Sequence, residues 1–541
     1  MRRDRPHGSV PGTPALPEST HGVERTAVID LGSNSFRLVV FSANEGWWKR
    51  TDEIYEAVRI GAGLAETGEL SEERMQRALA VVEVFAHFCA ATGIDTEHVA
   101  ALATSAIRDA RNRNAFLDRA ALPVRVLSVK EEAHFGYLAA VNTTTLTDGA
   151  VLDLGGGSLQ LTRVKGRRAR QMGSWRLGAV RMTEQFLPGD GPASKKQLKA
   201  LRAHVLEELE SAPWLERAGD RLVGIGGTVR NLAAAAAAAA DLPSIGIQGH
   251  VISRDDLAGL ISELASMPPA ERGKIPGIKP GRADLILAGA AVVQAALEAA
   301  GFEGIEATEA GLREGAFFER HLAFGDPPLF PDVRVASVNN LAAQYDADKA
   351  HTLHVAYLAL AMFDDLAEAG LHPGDPEERE MLWAASMLHD IGMTVDYDDH
   401  HRHSRYLILN GTLPGWSPRE LAIIAETVRY HRKGTPTFGP DLAPWTTKGD
   451  RAILERGATL LRLAEELERS RDQLVRAAHV DVDGGGQACL TLEAAGDVSV
   501  ARWAAERECD LFERAFGRPL AIGVEPATSG AATRRAPSAA R

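Results

Sequence analysis

Cysteine, long apolar runs and excess positive charge are all scarce in this chain of 541 residues. Its three cysteines, Cys89, Cys489 and Cys509, show no paired spacing, which argues against a disulfide framework or a zinc ribbon and fits a reducing cytoplasm. The alanine-rich run at 233–240 is much shorter than the roughly 18 apolar residues of a membrane span, so it indicates a buried helix. The net charge of -13 argues against a non-specific nucleic-acid binder.

The chain is too long for one hydrophobic core, so several domains are expected. Residues 1–24 and 526–541 are predicted to be disordered tails, and the first has no apolar segment of the kind found in signal peptides. Alternating strands and helices predict two α/β subdomains, at 25–148 and 149–323. A Pro-rich linker follows, and then long helices at 332–476 and a small α+β module at 477–525.

Two segments share one pattern, in which a strand ends at an aspartate and a glycine-containing turn leads to a second strand. The aspartates are Asp30 and Asp153. The turns consist of Gly32, Ser33, Asn34 and Ser35, and of Gly155, Gly156, Gly157 and Ser158. Glycine turns can bring backbone N–H groups close to phosphate oxygens, and Mg²⁺ prefers carboxylate and phosphate oxygens. Either turn alone is better explained as a plain hairpin, but two in matching contexts predict a site for Mg²⁺ and phosphate.

Several motifs resemble those of one phosphatase family, in the order in which the family has them. They are DLGSNSFRLVV, ATSAIRDARN, VKEEAHFGYLA, LDLGGGS, RLGAVRMTEQF, GIGGTVRNLA and TEAGLREG, between about residues 25 and 320. The family is that of the exopolyphosphatases and guanosine-pentaphosphate phosphatases (Ppx/GppA). The resemblance implies a duplicated actin-like ATPase (ribonuclease H-like) fold, Mg²⁺ as cofactor and a homodimer.

The same resemblance implies roles for individual residues. Asp30 and Asp153 match the acidic residues near magnesium, and the two turns match the phosphate-binding turns. Arg108 matches a basic residue near the phosphate chain, and Glu132 matches the carboxylate that activates the attacking water. From the residues alone, Glu132 is better explained as a capping or surface acid in the first turn of a helix.

One position departs from the family pattern. Gln160 stands where the family has a glutamate after its second turn. An amide can still form hydrogen bonds, but it neither accepts a proton nor contributes a full charge to magnesium. A regulator that binds polyphosphate or the alarmone with little turnover is therefore an alternative to an enzyme.

The C-terminal half resembles HD-type metal phosphohydrolases and, in HRHSRYLI and VRYHRKG, the long form of the family. The candidate metal ligands of this second site are His354, His389, Asp390, His403 and His431. Glu465 stands where a late aspartate is expected. We favour a vestigial, structural version of the site, and we interpret the HHRH cluster (His400, His401 and His403) as a polar surface.

Substrate preference follows from the length of the chain. A second module and a basic lining suit a long polyanion, which favours inorganic polyphosphate over guanosine pentaphosphate, although both use the same turns. The basic segment with Lys165, Arg167, Arg168 and Arg170 fits a polyanion patch or a solvated turn equally well. A sugar kinase or ATPase of the same superfold remains as an alternative that the TSAIR and KEEA motifs disfavour.

Overall fold

The first α/β unit is a five-stranded mixed sheet with helices on its faces, in a computed structural model that describes residues 22–243, 245–345 and 348–527. Its strands are β1 (Glu24–Leu31), β2 (Phe36–Ala43), β3 (Trp48–Glu56), β4 (Val99–Ala103) and β5 (Val124–Val126). Its helices are α1 (Leu64–Thr67), α2 (Glu72–Ala91), α3 (Ser105–Asp109), α4 (Arg113–Leu117) and α5 (Val129–Val141). The strand order is β3-β2-β1-β4-β5, with β4 parallel to β1 and an antiparallel meander from β1 to β3.

The second α/β unit repeats this arrangement. Its strands are β6 (Gly149–Leu154), β7 (Leu159–Lys165), β8 (Arg168–Trp175), β9 (Leu222–Ile225), β10 (Val251–Ser253) and β11 (Gly304–Ala307). Its helices are α6 (Ala179–Phe186), α7 (Lys195–Leu209), α8 (Gly227–Ala239), α9 (Arg254–Ser266), α10 (Ile286–Ala300) and α11 (Leu312–His321). Read from β8, the order β8-β7-β6-β9-β11 matches that of the first sheet, and β10 adds an antiparallel edge strand. The duplication that the sequence predicts is therefore present.

Helix α11 crosses back to the first unit. Phe317 and Phe318 pack in one buried cluster with Val39 and Phe41 of β2, and the rings of Phe41 and Phe317 stack at 4.3 Å. The apolar face of α11 is thus covered by the first sheet, although the sequence analysis placed the helix in the second subdomain.

A helical region and a small sheet complete the chain. The elements are α12 (Val333–Tyr345), α13 (Lys349–Glu368), α14 (Pro376–Leu388), α15 (His400–Asn410), α16 (Pro418–Arg429), α17 (Asp450–Leu467), β12 (Val475–Val482), β13 (Ala488–Ala494), α18 (Ser499–Glu506), α19 (Cys509–Phe516) and β14 (Leu520–Pro526). Buried residues from the helices and from the three-stranded sheet form one continuous cluster. The two segments that the sequence predicts as separate modules therefore share a core.

Most of both predicted tails, residues 1–21 and 528–541, lies outside the described residues. Regular structure reaches slightly into both predicted tails, since β1 begins at Glu24 and β14 ends at Pro526. The three cysteines are free, as predicted. Within the described residues, every helix is too short or too polar to cross a bilayer.

Candidate active site

The two predicted turns meet at a cleft between the α/β units, and this cleft has about 900 Å³ of empty volume. The hairpins place equivalent residues at equivalent positions: Asp30 pairs with Arg37 across β1 and β2, and Asp153 pairs with Gln160 across β6 and β7. In each hairpin the next pair along the strands closes the turn. Residues 32–35, 155 and 156 line the cleft together with both aspartates.

The second turn packs so closely against the first unit that an added Cβ would crowd its neighbours at two of the glycines. A Cβ added at Gly157 would lie 2.6 Å from Ser105 Oγ, and one added at Gly156 would lie 3.1 Å from Ser33 Cβ. Ser33 and Ser105 are joined by a hydroxyl–hydroxyl hydrogen bond of 3.0 Å. Gly157 therefore serves as a contact between the two units rather than as part of the cleft lining.

Glu132 is the buried carboxylate at the start of α5. Its neighbour Glu131 forms the capping box with Ser128, so the capping role that the sequence left open for Glu132 belongs to Glu131. Glu132 is only 6% exposed and lines the cleft. Burial raises its pKa, while Arg108 opposes the rise.

Arg108 lies behind this carboxylate. Its Nη1 donates to Glu132 Oε2 at 2.5 Å and to the Leu127 carbonyl at 3.2 Å. The sequence analysis expected Arg108 near the phosphate chain, whereas the structure places its guanidinium on the carboxylate of Glu132.

Three carboxylates crowd the cleft. Burial, and after it the neighbouring charges of Glu132 and Asp30, raises the pKa of Asp153 to about 7. Burial likewise raises the pKa of Asp30. Oxygen donors that repel one another in this way suit Mg²⁺, which relieves the repulsion and typically keeps water and phosphate ligands. The residues present therefore fit the ion that the sequence predicts.

Four arginines also line the cleft: Arg37, Arg230, Arg282 and Arg313. Burial, and next the charge of Arg313, lowers the pKa of Arg230 to about 10. The Nε of Arg313 and the Nδ2 of Asn34 are buried without a hydrogen-bond partner. Unpaired buried donors and crowded cations are what an anionic ligand would satisfy.

The sequence analysis missed most of these arginines. Arg37, Arg230 and Arg313 lie inside the quoted motifs, but the sequence analysis assigned none of them to the cleft. Arg282, in an irregular segment before α10, carried no motif signal. Only the packing of that segment against Gly227 brings it to the cleft, where a Cβ at Gly227 would lie 2.2 Å from the guanidinium.

Gln160 is buried beside Glu132. It is 2% exposed, and its Nε2 donates to Ser158 Oγ at 2.9 Å. A hydrogen bond from Gln160 also lowers the pKa of Glu132, although burial dominates that pKa. Ser158 therefore supports Gln160, and the amide contacts the carboxylate that the family resemblance assigns to water activation.

Two arginines of the basic hairpin segment hold the linker by hydrogen bonds. Arg167 Nη2 donates to the carbonyls of Val141 and Phe330, at 3.3 and 2.8 Å, and Arg168 Nη2 donates to the carbonyl of Asp326. These side chains hold the Pro-rich linker against the second unit, which argues against a polyanion patch formed by Arg167 and Arg168.

A second cavity, with about 1340 Å³ of empty volume, lies between both α/β units and the helical region. It adjoins the cleft, because residues 309, 310 and 314 line it while residues 311–313 line the cleft. Trp48, Tyr345 and Tyr406 supply aromatic surface, and Gln248 and Asn340 supply amides.

The helical region contains two further groups of metal-ligand type. The ligand atoms of His351, His389 and Glu465 lie within 4.8 Å of one another, and so do those of Asp390, His400 and His431. Of the five predicted residues, His389 therefore belongs to the first group, and Asp390 and His431 belong to the second.

The other two predicted ligands lie outside these groups. His354 Nε2 instead contacts the Val475 carbonyl at 2.8 Å, and His403 is half-buried beside Gly392. The interpretation of HHRH as a polar surface is wrong for His400 and His401, which are 5% and 3% exposed. Helix α15 turns both imidazoles into the bundle.

Comparisons with known proteins match nearly the whole described chain. The Ppx/GppA phosphatase family matches residues 39–324, and the family described as Ppx/GppA phosphatase, domain III matches residues 333–502. The guanosine-5'-triphosphate,3'-diphosphate pyrophosphatase of Vibrio vulnificus (strain YJ016) is 28% identical over 458 residues, covering 82% of this chain and 87% of the relative. The protein of the same name from Vibrio parahaemolyticus serotype O3:K6 (strain RIMD 2210633) is 27% identical over 510 residues, covering 92% and 97%.

A solved structure supports the architecture. The structure of an exopolyphosphatase from Cytophaga hutchinsonii ATCC 33406 matches with a TM-score of 0.51 at 24% identity, covering 55% of this chain and 97% of that chain. At this identity the likeness shows the fold alone, which is the actin-like ATPase architecture of the two α/β units.

Proposed function

Because this chain belongs to the Ppx/GppA phosphatase family, we propose that it removes the terminal phosphate of guanosine pentaphosphate by hydrolysing the phosphoanhydride bond. The observation that carries the chemistry is the cleft itself, in which a buried glutamate faces two glycine turns, two aspartates and four arginines. The cleft thus holds both carboxylates that could bind a metal ion and arginines that could bind phosphates, as a metal-bridged polyphosphate requires.

Glu132 is the general base of this proposal. Arg108 occupies Oε2, so Oε1 is the oxygen left to accept a proton from water. The water oxygen attacks the terminal phosphorus, its proton passes to Glu132, and the bridging oxygen leaves with the electron pair of the broken P–O bond. Arg108 positions the carboxylate and favours its charged form.

The arginines and the turns bind the phosphates. Arg230 and Arg313 face the charge that develops on the phosphoryl oxygens, and the unpaired Nδ2 of Asn34 supplies a neutral donor. Mg²⁺, held by Asp30 and Asp153, would neutralise phosphate charge and orient the phosphoryl group. Gln160 contacts Glu132 as a neutral neighbour, so the departure from the family pattern leaves the base in place.

Two observations support guanosine pentaphosphate over a plain phosphate chain. The relatives that carry the pyrophosphatase name cover 82% and 92% of this chain. The second cavity adjoins the cleft and offers the aromatic rings and amides that a purine base and ribose contact. We place the nucleoside there, with the phosphates reaching into the cleft.

Inorganic polyphosphate is the second candidate substrate, and the sequence analysis favoured it. The four arginines of the cleft support it, because they bind phosphates without reading a base. The homodimer and the HD-type assignment of the helical region stay predictions.

The test measures phosphate release from guanosine pentaphosphate and from long-chain polyphosphate, each with Mg²⁺ and with EDTA. We expect metal-dependent release, with the larger kcat/KM for guanosine pentaphosphate. Tyr406→Ala, in the second cavity, should raise KM for guanosine pentaphosphate about tenfold, as expected when about 1.4 kcal/mol of stacking is lost, and leave polyphosphate hydrolysis unchanged.

Tyr397→Ala is the matched control, since Tyr397 is an exposed tyrosine of the same region outside both cavities. A higher kcat/KM for polyphosphate would identify polyphosphate as the substrate. Tight binding of either compound without release would make the protein a regulator and overturn the proposal.

A further inference from the structure

Glu309 lies at the boundary between the cleft and the second cavity. Its backbone carbonyl accepts a hydrogen bond of 2.6 Å from Nη1 of Arg230, which lines the cleft. Its backbone N–H donates to Oε1 of Gln248 at 3.1 Å, and Gln248 lines the second cavity. The backbone of Glu309 is therefore held from both sides, while its exposed side chain lines the second cavity.

Gln248 is itself fixed by buried partners. Its Oε1 accepts a further hydrogen bond from the Thr308 hydroxyl at 2.9 Å, and its Nε2 donates to the Thr143 carbonyl at 2.8 Å. The hydroxyl oxygens of Thr143 and Thr308 lie 2.9 Å apart, and both threonines are buried. Because buried hydrogen-bond networks are rigid, this network fixes where the backbone of Glu309 meets the cavity.

Two carboxylates line the second cavity, and they differ in what they contact. Glu314 Oε2 accepts from the backbone N–H of Gly311 at 2.8 Å and so completes the capping box of α11. Among the residues that the structure describes, no hydrogen bond or ion pair occupies the carboxylate of Glu309. Both of its oxygens are therefore available to a ligand in the cavity.

A purine base offers a ring face and a polar edge to such a cavity. Aromatic rings stack on every base, so Trp48, Tyr345 and Tyr406 would hold adenine as well as guanine. The edges differ, because guanine presents two neighbouring donors, N1–H and N2–H, whereas adenine presents an acceptor at N1 beside a donor at N6. A carboxylate only accepts, so it forms two hydrogen bonds with guanine and meets a lone pair on adenine. Lys49 and Arg50, the cations that line the cavity, only donate and cannot serve the two donors of guanine.

We propose that the carboxylate of Glu309 accepts hydrogen bonds from N1–H and N2–H of guanine and so makes the second cavity selective for guanine over adenine nucleotides. The proposed function, on which this inference rests, places the nucleoside in the second cavity and the phosphates in the cleft. Because the carbonyl of Glu309 contacts Arg230, base recognition and phosphate binding meet at one residue. Glu309 determines specificity and takes no part in the transfer of the phosphoryl group.

The test measures binding of guanosine tetraphosphate to the full chain by calorimetry, beside its adenosine and inosine counterparts. Guanosine tetraphosphate is the product of the proposed reaction, so its binding is measured without turnover. We expect the parent to bind the guanosine compound at least about tenfold more tightly than the adenosine compound, as a contact with two hydrogen bonds to a base edge requires. The inosine compound, which keeps N1–H and lacks the N2 amino group, should bind with intermediate affinity.

Glu309→Gln should reduce the preference for guanosine over adenosine to about threefold or less, because an amide offers one acceptor and one donor and can pair with either base. Glu303→Gln is the matched control, since Glu303 is an exposed glutamate of the same segment that lines neither cavity. It should keep the preference of the parent. A purely structural role for Glu309 would weaken binding of all three compounds equally and leave their ratio unchanged.

Equal binding of the guanosine and adenosine compounds by the parent would overturn the inference, and so would an unchanged preference in Glu309→Gln. No binding of guanosine tetraphosphate at all would overturn it as well. Phosphate release from guanosine pentaphosphate without base preference would overturn the role of Glu309 and leave the proposed function in place. Guanine-selective binding without phosphate release would overturn the proposed function and support the role of Glu309.

Discussion

Adjacent glutamates at the start of α5 occupy opposite environments. A hydrogen bond from Arg125 lowers the pKa of the exposed Glu131 to about 2, whereas burial raises the pKa of Glu132. Glu131 therefore caps the helix, whereas Glu132, one position later, lines the cleft, because successive side chains on a helix point about 100° apart.

Glu132→Gln should lower kcat by about 10²- to 10⁴-fold, as expected for loss of a general base, with KM changed only a few-fold. Glu131→Gln is the matched control, since glutamine also completes a capping box. Steady-state kinetics on both variants decide the matter. A Glu132→Gln enzyme with the parent kcat would exclude this residue as the base.

The raised pKa of Asp153 predicts a pH dependence of stability without divalent ions. The folded chain holds a proton on Asp153 up to about pH 7, whereas the unfolded chain releases it near its ordinary value of about 4. This contribution to stability is complete below pH 4 and is lost as pH rises through 7.

In EDTA, Tm should therefore fall between pH 5.5 and 8.5, and Mg²⁺ should restore it at the higher pH. Asp153→Asn should flatten the profile, because no carboxylate then loses its proton. Thermal melts across this range check the prediction, and an equally steep profile for Asp153→Asn would contradict it.

Gln160→Glu should tighten Mg²⁺ binding several-fold. The new carboxylate would stand opposite Asp153 and beside Glu132, so it would add negative charge to a site already crowded with carboxylates. The Mg²⁺ concentration for half-maximal activity measures the effect. Gln171→Glu, exposed on β8, is the control, and an unchanged Mg²⁺ requirement in Gln160→Glu would show that the amide does not limit metal binding.

Among the elements, the two hairpins are the repeated unit of the site. Each carries its aspartate one pair before the turn, and the turns are packed against each other and against the start of α6. The backbone N–H of Ala179 donates to the Gly155 carbonyl at 3.0 Å, and that of Val180 donates to the Gly156 carbonyl at 2.9 Å. Helix α6 thus supports the second turn from behind.

Gly178→Ala should disrupt that turn. A Cβ at Gly178 would lie 2.3 Å from both Gly157 C and Ser158 N, and these backbone atoms have no rotamer by which to move away. We expect a loss of about 1–3 kcal/mol in unfolding free energy and weaker substrate binding. Gly191→Ala, where an added Cβ meets nothing within 4 Å, should change neither. Denaturant titration compares the two variants.

For the whole molecule, the helical region is joined to both α/β units. Asn340 Oδ1 accepts from the backbone of Trp48 at 2.7 Å, and Trp445 Nε1 donates to the Pro243 carbonyl at 3.0 Å. The second cavity lies among these contacts, so its shape depends on how the helical region docks.

Arg167→Ala should release the linker that leads to this region. The guanidinium donates to the carbonyls of Phe330, Pro331 and Val141, and each hydrogen bond contributes about 1 kcal/mol. Limited proteolysis of the linker should become about tenfold faster. The Arg170→Ala variant, which changes a nearby exposed arginine in β8, should be cleaved like the parent. Equal cleavage rates for both variants would contradict the role of Arg167 in holding the linker.

Local sequence predicted most of the fold and, within the cleft, the two aspartates and the two glycine turns. Apolar residues at helical spacing predict a helix at 72–92, and the structure has α2 at Glu72–Ala91. The hairpin strands around Asp30 and Asp153 also lie where strand patterns and turn residues predict them, because these signals act locally. For residues 500–516 the sequence predicts a single helix, whereas the structure has two, α18 and α19, and both pack against the core.

What only the tertiary structure decided is which side chains converge. Sequence spacing left His351 and His354, and likewise His400 and His403, on nearly the same helix faces, and packing alone turned His351 and His400 into the bundle. Arg282 reached the cleft from a segment without a motif, and Arg108 turned to Glu132 instead of the phosphates. The sequence by itself determined the family, the turns and the order of elements, since these depend on neighbours in the chain. Contacts between distant segments decided which side chains of metal-ligand type converge and which charged groups meet in the cleft.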